Sequence, residues 1–294
     1  MRVNTALQPY PISVSALFDS VWRNRELILQ LARREVLSRY RGSMFGLAWS
    51  FFNPLVLLIV YTFVFSVVFK ARWGVGGQEG TTDFAIILFV GLIVHCFFAE
   101  CLNRAPTLIL SNINYVKKVV FPLEILPWVA AGPALFHASI SLAVLLLAQL
   151  VFNHAIAWTA VFLPVVFVPL CLSTIGIALF LSSIGVYVRD IGQVIGIVTT
   201  VLLFLSPVFY PIAALPEKYR PFLLLNPLTF VIEEARGILI WGRMPNWTGF
   251  MIYTLASLAR QAVEARAPAP LRARWISRPV APLPVPPASQ AASR

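Results

Sequence analysis

Five long apolar runs, 47–69, 82–103, 127–152, 157–183 and 191–212, alternate with segments that collect most of the charges. A helix needs about 20 apolar residues to cross the hydrocarbon core of a bilayer, so each run predicts a transmembrane helix. A sixth is predicted to start near Trp247. The runs are continuous, without the alternation at every second position that lipid-facing barrel strands require. The pattern therefore predicts an all-α integral membrane protein with six transmembrane helices.

The segments between the runs have patterns of their own. In 21–41, Ile28, Ala32, Val36 and Tyr40 form an i, i+4 row with Leu29 beside it, while Arg23, Arg34 and Arg41 lie roughly opposite. That is an amphipathic helix suited to a membrane interface. Arg25 and Arg39 intrude on its apolar side, where their stems can be buried. Two readings stay open: a basic anchor before the first span, or a site where Arg33, Arg34, Arg39 and Arg41 meet an anionic lipid or phosphate head group. The planar guanidinium suits such a group.

The loop 104–121 carries apolar residues at Leu108, Ile109, Ile113, Val116, Val119 and Val120, enough for a short helix lying flat. Pro122 ends it and Pro127 turns the chain back into the membrane. Lys117 and Lys118 are either orientation anchors or part of a surface on which a partner pushes.

Segment 206–247 is too apolar for a solvated loop, yet Pro207, Pro211, Pro216, Pro221 and Pro227 cut it into pieces too short to span. Irregular backbone at membrane depth is tolerated only where protein or a water-filled cavity covers it. Two re-entrant or interfacial helices, 208–215 and 221–240, are expected. Glu233, Glu234 and Arg236 are polar groups there that need partners, in a structural or a gating role.

Composition strengthens the membrane class. Only 12% of residues are charged, against about 25% in a soluble domain, and the mean hydropathy is +0.81. The formal net charge of +11 would suggest a nucleic-acid partner in a soluble chain. Here the basic residues flank spans, and no nucleic-acid role follows. Seventeen of the 23 Lys and Arg fall on the side of the N-terminus, the 104–126 loop, Arg189 and the tail. By the positive-inside rule that side is cytoplasmic. The first twenty residues lack the apolar core of a signal peptide, so the first span is expected to do its own targeting.

Catalytic chemistry is not apparent. The chain contains no Gly-x-x-x-x-Gly-Lys-Ser/Thr phosphate loop, no metal-type spacing and no nucleophile elbow. Cys96, Cys101 and Cys171 read as small apolar residues inside spans, and His95, His137 and His154 as isolated helix or loop positions. No catalytic, cofactor-binding or metal-binding residue is assigned. Aromatic residues such as Phe51, Phe52, Tyr61, Phe63, Phe65 and Phe69 read as packing or lipid contact, with a pathway wall for sugar rings as the other reading.

Four ordered blocks carry a resemblance: RYRGSMFGLAWSFFNPLVLLIVYTFVFSVVFKARW (39–73), NYVKKVVFPLEILP (114–127), YVRDIGQV (187–194) and LNPLTFVIEEARGILIWG (225–242). Over about residues 20 to 255 the chain resembles the permease subunit of ABC exporters for bacterial polysaccharides, in the O-antigen (lipopolysaccharide) branch, with capsule and teichoic-acid exporters as relatives. The resemblance implies a homodimer of permeases with two separate ATPase subunits, which hold ATP and magnesium. It also implies a lipid-linked polysaccharide substrate and a bacterial inner-membrane location.

It makes 104–121 the coupling helix, with Asn114, Tyr115, Lys117 and Lys118 on the ATPase. It makes 21–41 the interface helix, with Arg33, Arg34, Arg39, Tyr40 and Arg41 toward lipid head groups. It makes 206–240 the outer gate, with Phe209, Tyr210, Pro227, Glu233 and Arg236. The alternatives are a membrane-embedded enzyme acting on lipid-linked sugars, or an ABC permease for a small lipid or drug.

The chain departs from that family at its end. WTGFMIYTLASLA (247–259) offers only 13 residues before Arg260, short of a full span. The Pro-, Ala- and Arg-rich stretch 260–294 reads as disordered. A change of reading frame near residue 258 and a genuine unusual C-terminus both stay open. The expected organisation is thus 1–46 as cytoplasmic N-terminus, 47–259 as membrane permease domain with a truncated last span, and 260–294 as tail.

Overall fold

Residues 14–69, 73, 81–112, 125–188, 190–224 and 226–265 are described by a computed structural model, and every regular element among them is helical. The amphipathic segment is two helices, α1 (Val14–Arg23) and α2 (Arg25–Tyr40), where the pattern predicts one. The break falls at Asn24, whose side-chain amide donates to Ser20 O at 2.7 Å. Such local side-chain bonding gives Asn an alternative to helix continuation.

The apolar row of α2 packs on α6 (Leu126–Asn153). At the crossing, a Cβ on Gly132 would sit 2.4 Å from Ala32 Cβ. Only glycine lets the two backbones come this close.

Helix α3 (Ala48–Tyr61) continues as a π-helical turn over Thr62–Val68. The centre of the bundle is α4 (Thr81–Arg104), which packs on α3, α6, α7 (Leu163–Gly185), α8 (Ile191–Leu205) and α10 (Pro227–Leu239). Residues 84–95 of α4 are all buried, so it is apolar around its whole circumference. A 3-10 turn (Ala105–Thr107) and the short α5 (Leu108–Ser111) follow it.

Four segments are long and apolar enough to cross a membrane: Ala48–Phe65, Phe84–Ser111, Leu126–Phe152 and Trp158–Gly185. The expected fifth span over 191–212 is shorter. Helix α8 stops at Leu205 after 15 residues, roughly 22 Å of rise. Ser206 turns extended (ψ 152°) ahead of Pro207, and its hydroxyl accepts a 2.8 Å hydrogen bond from Asn226 Nδ2.

Beyond it lie two 3-10 turns and the short α9 (Arg220–Leu224), then α10 and α11 (Trp247–Ala265). The apolar part of α11 is Trp247–Ala259, but the helix runs on through Arg260 to Ala265. Gln261 is buried there and donates to Leu172 O at 2.6 Å.

The surface has broad apolar faces. Ile59, Phe63 and Val67 on α3 with its π turn, Ile197, Val201 and Phe204 on α8, and Ile252 and Leu255 on α11 are all exposed. Faces of this extent suit lipid or another membrane helix, not water.

Candidate functional site

Helix α4 carries a polar cluster at each end. Ile87 and Arg104 are 17 residues apart, so about 25 Å separates the two clusters along the helix axis.

The first cluster joins the end of α2 to the C-terminal end of α4 and the N-terminal half of α6. Arg39 Nη1 donates to Glu100 Oε1 at 2.7 Å, and Glu100 Oε2 lies 2.9 Å from His137 Nδ1. Tyr40 Oη is 2.9 Å from His137 Nε2, and the two rings meet edge to face. One turn on, Arg104 pairs with Glu35 of α2. Two guanidinium groups thus face two carboxylates with a histidine between them.

Burial pushes the Tyr40 phenol above its ordinary value; the Arg39 charge opposes the shift and Glu100 adds to it. Sequence reading took His137 as isolated, and it is the hinge of this network. Glu100 and Glu35 were not singled out. An acid inside an apolar run is the signal that marks Glu100, but its partners come from helices 37 and 61 residues away.

The second cluster surrounds Arg236, which is 0% exposed. Its Nε donates to Ile87 O at 3.1 Å, Nη2 to Val208 O at 2.9 Å and Nη1 to Glu233 Oε1 at 2.9 Å. The guanidinium carbon lies 4.4 Å from the ring centroid of Trp73. Gly91 makes room: a Cβ there would be 3.0 Å from Arg236 Nη2 and 3.3 Å from Val208 Cα.

Both ends of α10 are satisfied by protein groups. Asn226 caps the start, its Oδ1 accepting from Leu228 N at 2.9 Å. The terminal carbonyls of Ile238 and Leu239 accept from Thr159 Oγ1 (2.5 Å) and Gln149 Nε2 (2.9 Å). A buried helix end needs partners of this kind.

The other residues singled out in the sequence are placed as follows. Phe209 stacks between Phe65 and Phe204, at 6.2 and 5.6 Å between centroids. Tyr210 Oη donates to Phe204 O at 3.2 Å. Pro227 opens α10, and its carbonyl accepts from Tyr253 Oη at 2.8 Å. Glu234 accepts from Asn246 N at 3.0 Å.

Arg33, Arg34, Arg39 and Arg41 are exposed and Tyr40 is half-buried; of these, Arg39 and Tyr40 reach into the first cluster. Asn114, Tyr115, Lys117 and Lys118 lie outside the described residues. Of the cysteines, Cys101 is buried and Cys171 half-buried as expected, while Cys96 is on the exposed side of α4. His154 adopts a left-handed conformation (φ 53°) that ends α6.

Three known proteins place these features among relatives. The O-antigen export system permease protein RfbA of Myxococcus xanthus is 26% identical over 244 residues, covering 82% of this chain and 91% of the relative. RfbA of Klebsiella pneumoniae is 22% identical over 220 residues, 74% of this chain and 82% of the relative. The polysialic acid transport protein KpsM of Escherichia coli is 23% identical over 212 residues, 71% of this chain and 79% of the relative. The family model for the ABC-2 type transporter matches residues 26–240, which include every helix from α3 to α10 and both polar clusters. The chain belongs to the ABC-2 type transporter membrane family.

Proposed function

We propose that this chain is the transmembrane subunit of an ATP-driven exporter that moves a lipid-linked polysaccharide of the O-antigen type across the bacterial inner membrane. The observation that carries the reading is the match to an O-antigen export permease over 82% of the chain. A second relative is named as a polysialic acid transport protein, which supports a polysaccharide cargo.

In this reading α8 with its extension and α11 complete six crossings, two of them short. Helix α10 is a re-entrant piece: 13 residues, buried on nearly every side and capped by side chains at both ends. The N-terminus is cytoplasmic, as the basic bias expects. Two copies pair through their exposed apolar faces and carry two ATPase subunits, which bind ATP and magnesium. No catalytic, cofactor-binding or metal-binding residue is assigned to this chain.

Segment 104–121 receives the ATPase, through Asn114, Tyr115, Lys117 and Lys118. The exposed Arg33, Arg34 and Arg41 meet the anionic head group of the lipid carrier, with Arg39 and Tyr40 bracing the end of their helix. Phe209, Tyr210, Pro227, Glu233 and Arg236 form the outer closure, with Arg236 as its fixed point.

Reversing charge at Lys117 and Lys118 together (both to Glu) is expected to keep ATP hydrolysis in the assembled complex and abolish export. Surface polysaccharide is the readout. Wild-type export by that variant would reduce the segment to a topology anchor.

A further inference from the structure

The last turn of α4 is gripped from four sides. Glu100 holds Arg39 of α2 and His137 of α6. Asn103 Oδ1 accepts from Thr199 Oγ1 of α8 at 3.2 Å. Arg104 pairs with Glu35 of α2. Just beyond, the backbone of Pro106 lies against Gly185 at the end of α7, where a Cβ would come within 2.3 Å of the Pro106 carbonyl oxygen. Four helices therefore converge on about six consecutive residues, directly upstream of segment 113–124.

Contacts of this kind transmit displacement. The Glu35–Arg104 pair is shielded on both sides and resists separation more than an exposed pair, while in the second pair Glu100 is shielded and Arg39 reaches it from an exposed position. A backbone-on-backbone contact has no side chain to absorb a shift. The two pairs are spaced by one helical turn on both helices: Glu35 and Arg39 are i, i+4 on α2, and Glu100 and Arg104 are i, i+4 on α4. The order of charges is acid then base on each helix. The two ion pairs, Glu35–Arg104 and Arg39–Glu100, join α2 to the end of α4 at two points one turn apart on each helix.

We propose that the Glu35–Arg104 and Arg39–Glu100 pairs are a mechanical linkage: they tie α2 to the last turn of α4, so that a displacement of this end of α4 is delivered to the interface helix. These are positioning residues that touch neither nucleotide nor substrate. The inference rests on the export reading above, because it names what the linkage drives. It differs from a head-group role for Arg39, whose Nη1 is committed to Glu100 and His137.

The test uses the permease together with its ATPase, in cells and as purified complex in lipid. The variants are Glu35→Arg, Arg104→Glu, the double swap, and the milder Glu35→Gln, which keeps volume and removes only charge. Three quantities are read at matched protein level: ATPase retained on the permease, ATP hydrolysis, and surface polysaccharide.

The single variants are expected to keep ATPase binding and to hydrolyse ATP within about twofold of wild type, while export per ATP falls about tenfold, a common size for pairwise coupling. The double swap is expected to bring export back to within about threefold of wild type, since it restores opposite charges. A loss of folding alone would lower hydrolysis and export together and would not be rescued by the swap.

Wild-type export per ATP in Glu35→Gln and both reversals would overturn the linkage. So would a double swap that assembles and hydrolyses but stays as defective as the singles. Failure of the export reading looks different: deletion of the gene would leave surface polysaccharide and lipid-linked intermediates unchanged in the wild-type control, and the linkage would fall with it.

Discussion

Gly185→Ala is expected to destabilise the protein by about 2–3 kcal/mol, the cost typical of forcing extra volume into a packed contact. The added Cβ would stand 2.3 Å from Pro106 O, 2.6 Å from Pro106 Cα and 2.8 Å from Pro106 C. All three are backbone atoms, so no rotamer change relieves the contact. Either α7 or the 3-10 turn after α4 has to retreat, and Pro106, locked in φ, resists local adjustment. The control is Gly237→Ala in α10, whose added Cβ meets only Arg243 Cβ at 3.9 Å. It is expected to be neutral or slightly stabilising, because alanine is the better helix former by about 1 kcal/mol. Thermal melting of the purified protein in detergent, with retained fluorescence-detected monodispersity, measures both.

Arg236→Ala has the second large effect, about 3–5 kcal/mol, the range seen when one partner of a buried charged group is removed. The side chain is fully enclosed and gives one donor group each to Ile87 O, Val208 O and Glu233. Truncation leaves a cavity lined by Trp73 and Gly91, strands the Val208 carbonyl and takes the cation from the Trp73 face. Arg236→Lys keeps the charge but cannot present three separated donor directions at once, so an intermediate loss is expected. If Arg236→Ala melted with wild type, the three hydrogen bonds would carry no net stability and the outer closure would not be held at this residue.

The helices were the legible part of the fold, because apolar runs of bilayer length are set by solvent rather than by partners. Three of the four long spans appear within a few residues of the runs that predict them, while the second runs on from 103 to Ser111 through a 3-10 turn and α5. The fifth run misled because hydropathy continues past Leu205 into Val208, Phe209 and Ile212, whereas the backbone breaks at Ser206 and Pro207. Hydropathy reports where a residue prefers to be and says nothing about where the chain turns. Prolines carried that information, and they marked the breaks in 206–227 in advance.

The amphipathic row of α2 was legible for the same reason as the spans. The intrusion of Arg39 on its apolar side has its cause in Glu100 and His137. That pairing was invisible in the sequence, since three helices from distant parts of the chain supply it. The same holds for Gly91, Gly132 and Gly185: each is unremarkable in a membrane sequence and becomes meaningful only beside the atom it makes room for. Arg236 and Glu233, in contrast, stood out as charges in an apolar stretch, although their contact with α4 did not.

An exporter subunit acts after its lipid-linked polymer is made and before that polymer reaches the surface. Deleting the gene, then separating surface polysaccharide on gels and assaying lipid-linked polymer inside the cell, distinguishes export from synthesis. Loss of surface polymer with accumulation of the lipid-linked form inside is the result expected of an exporter subunit. Loss of both forms together would place the protein in synthesis and contradict the account.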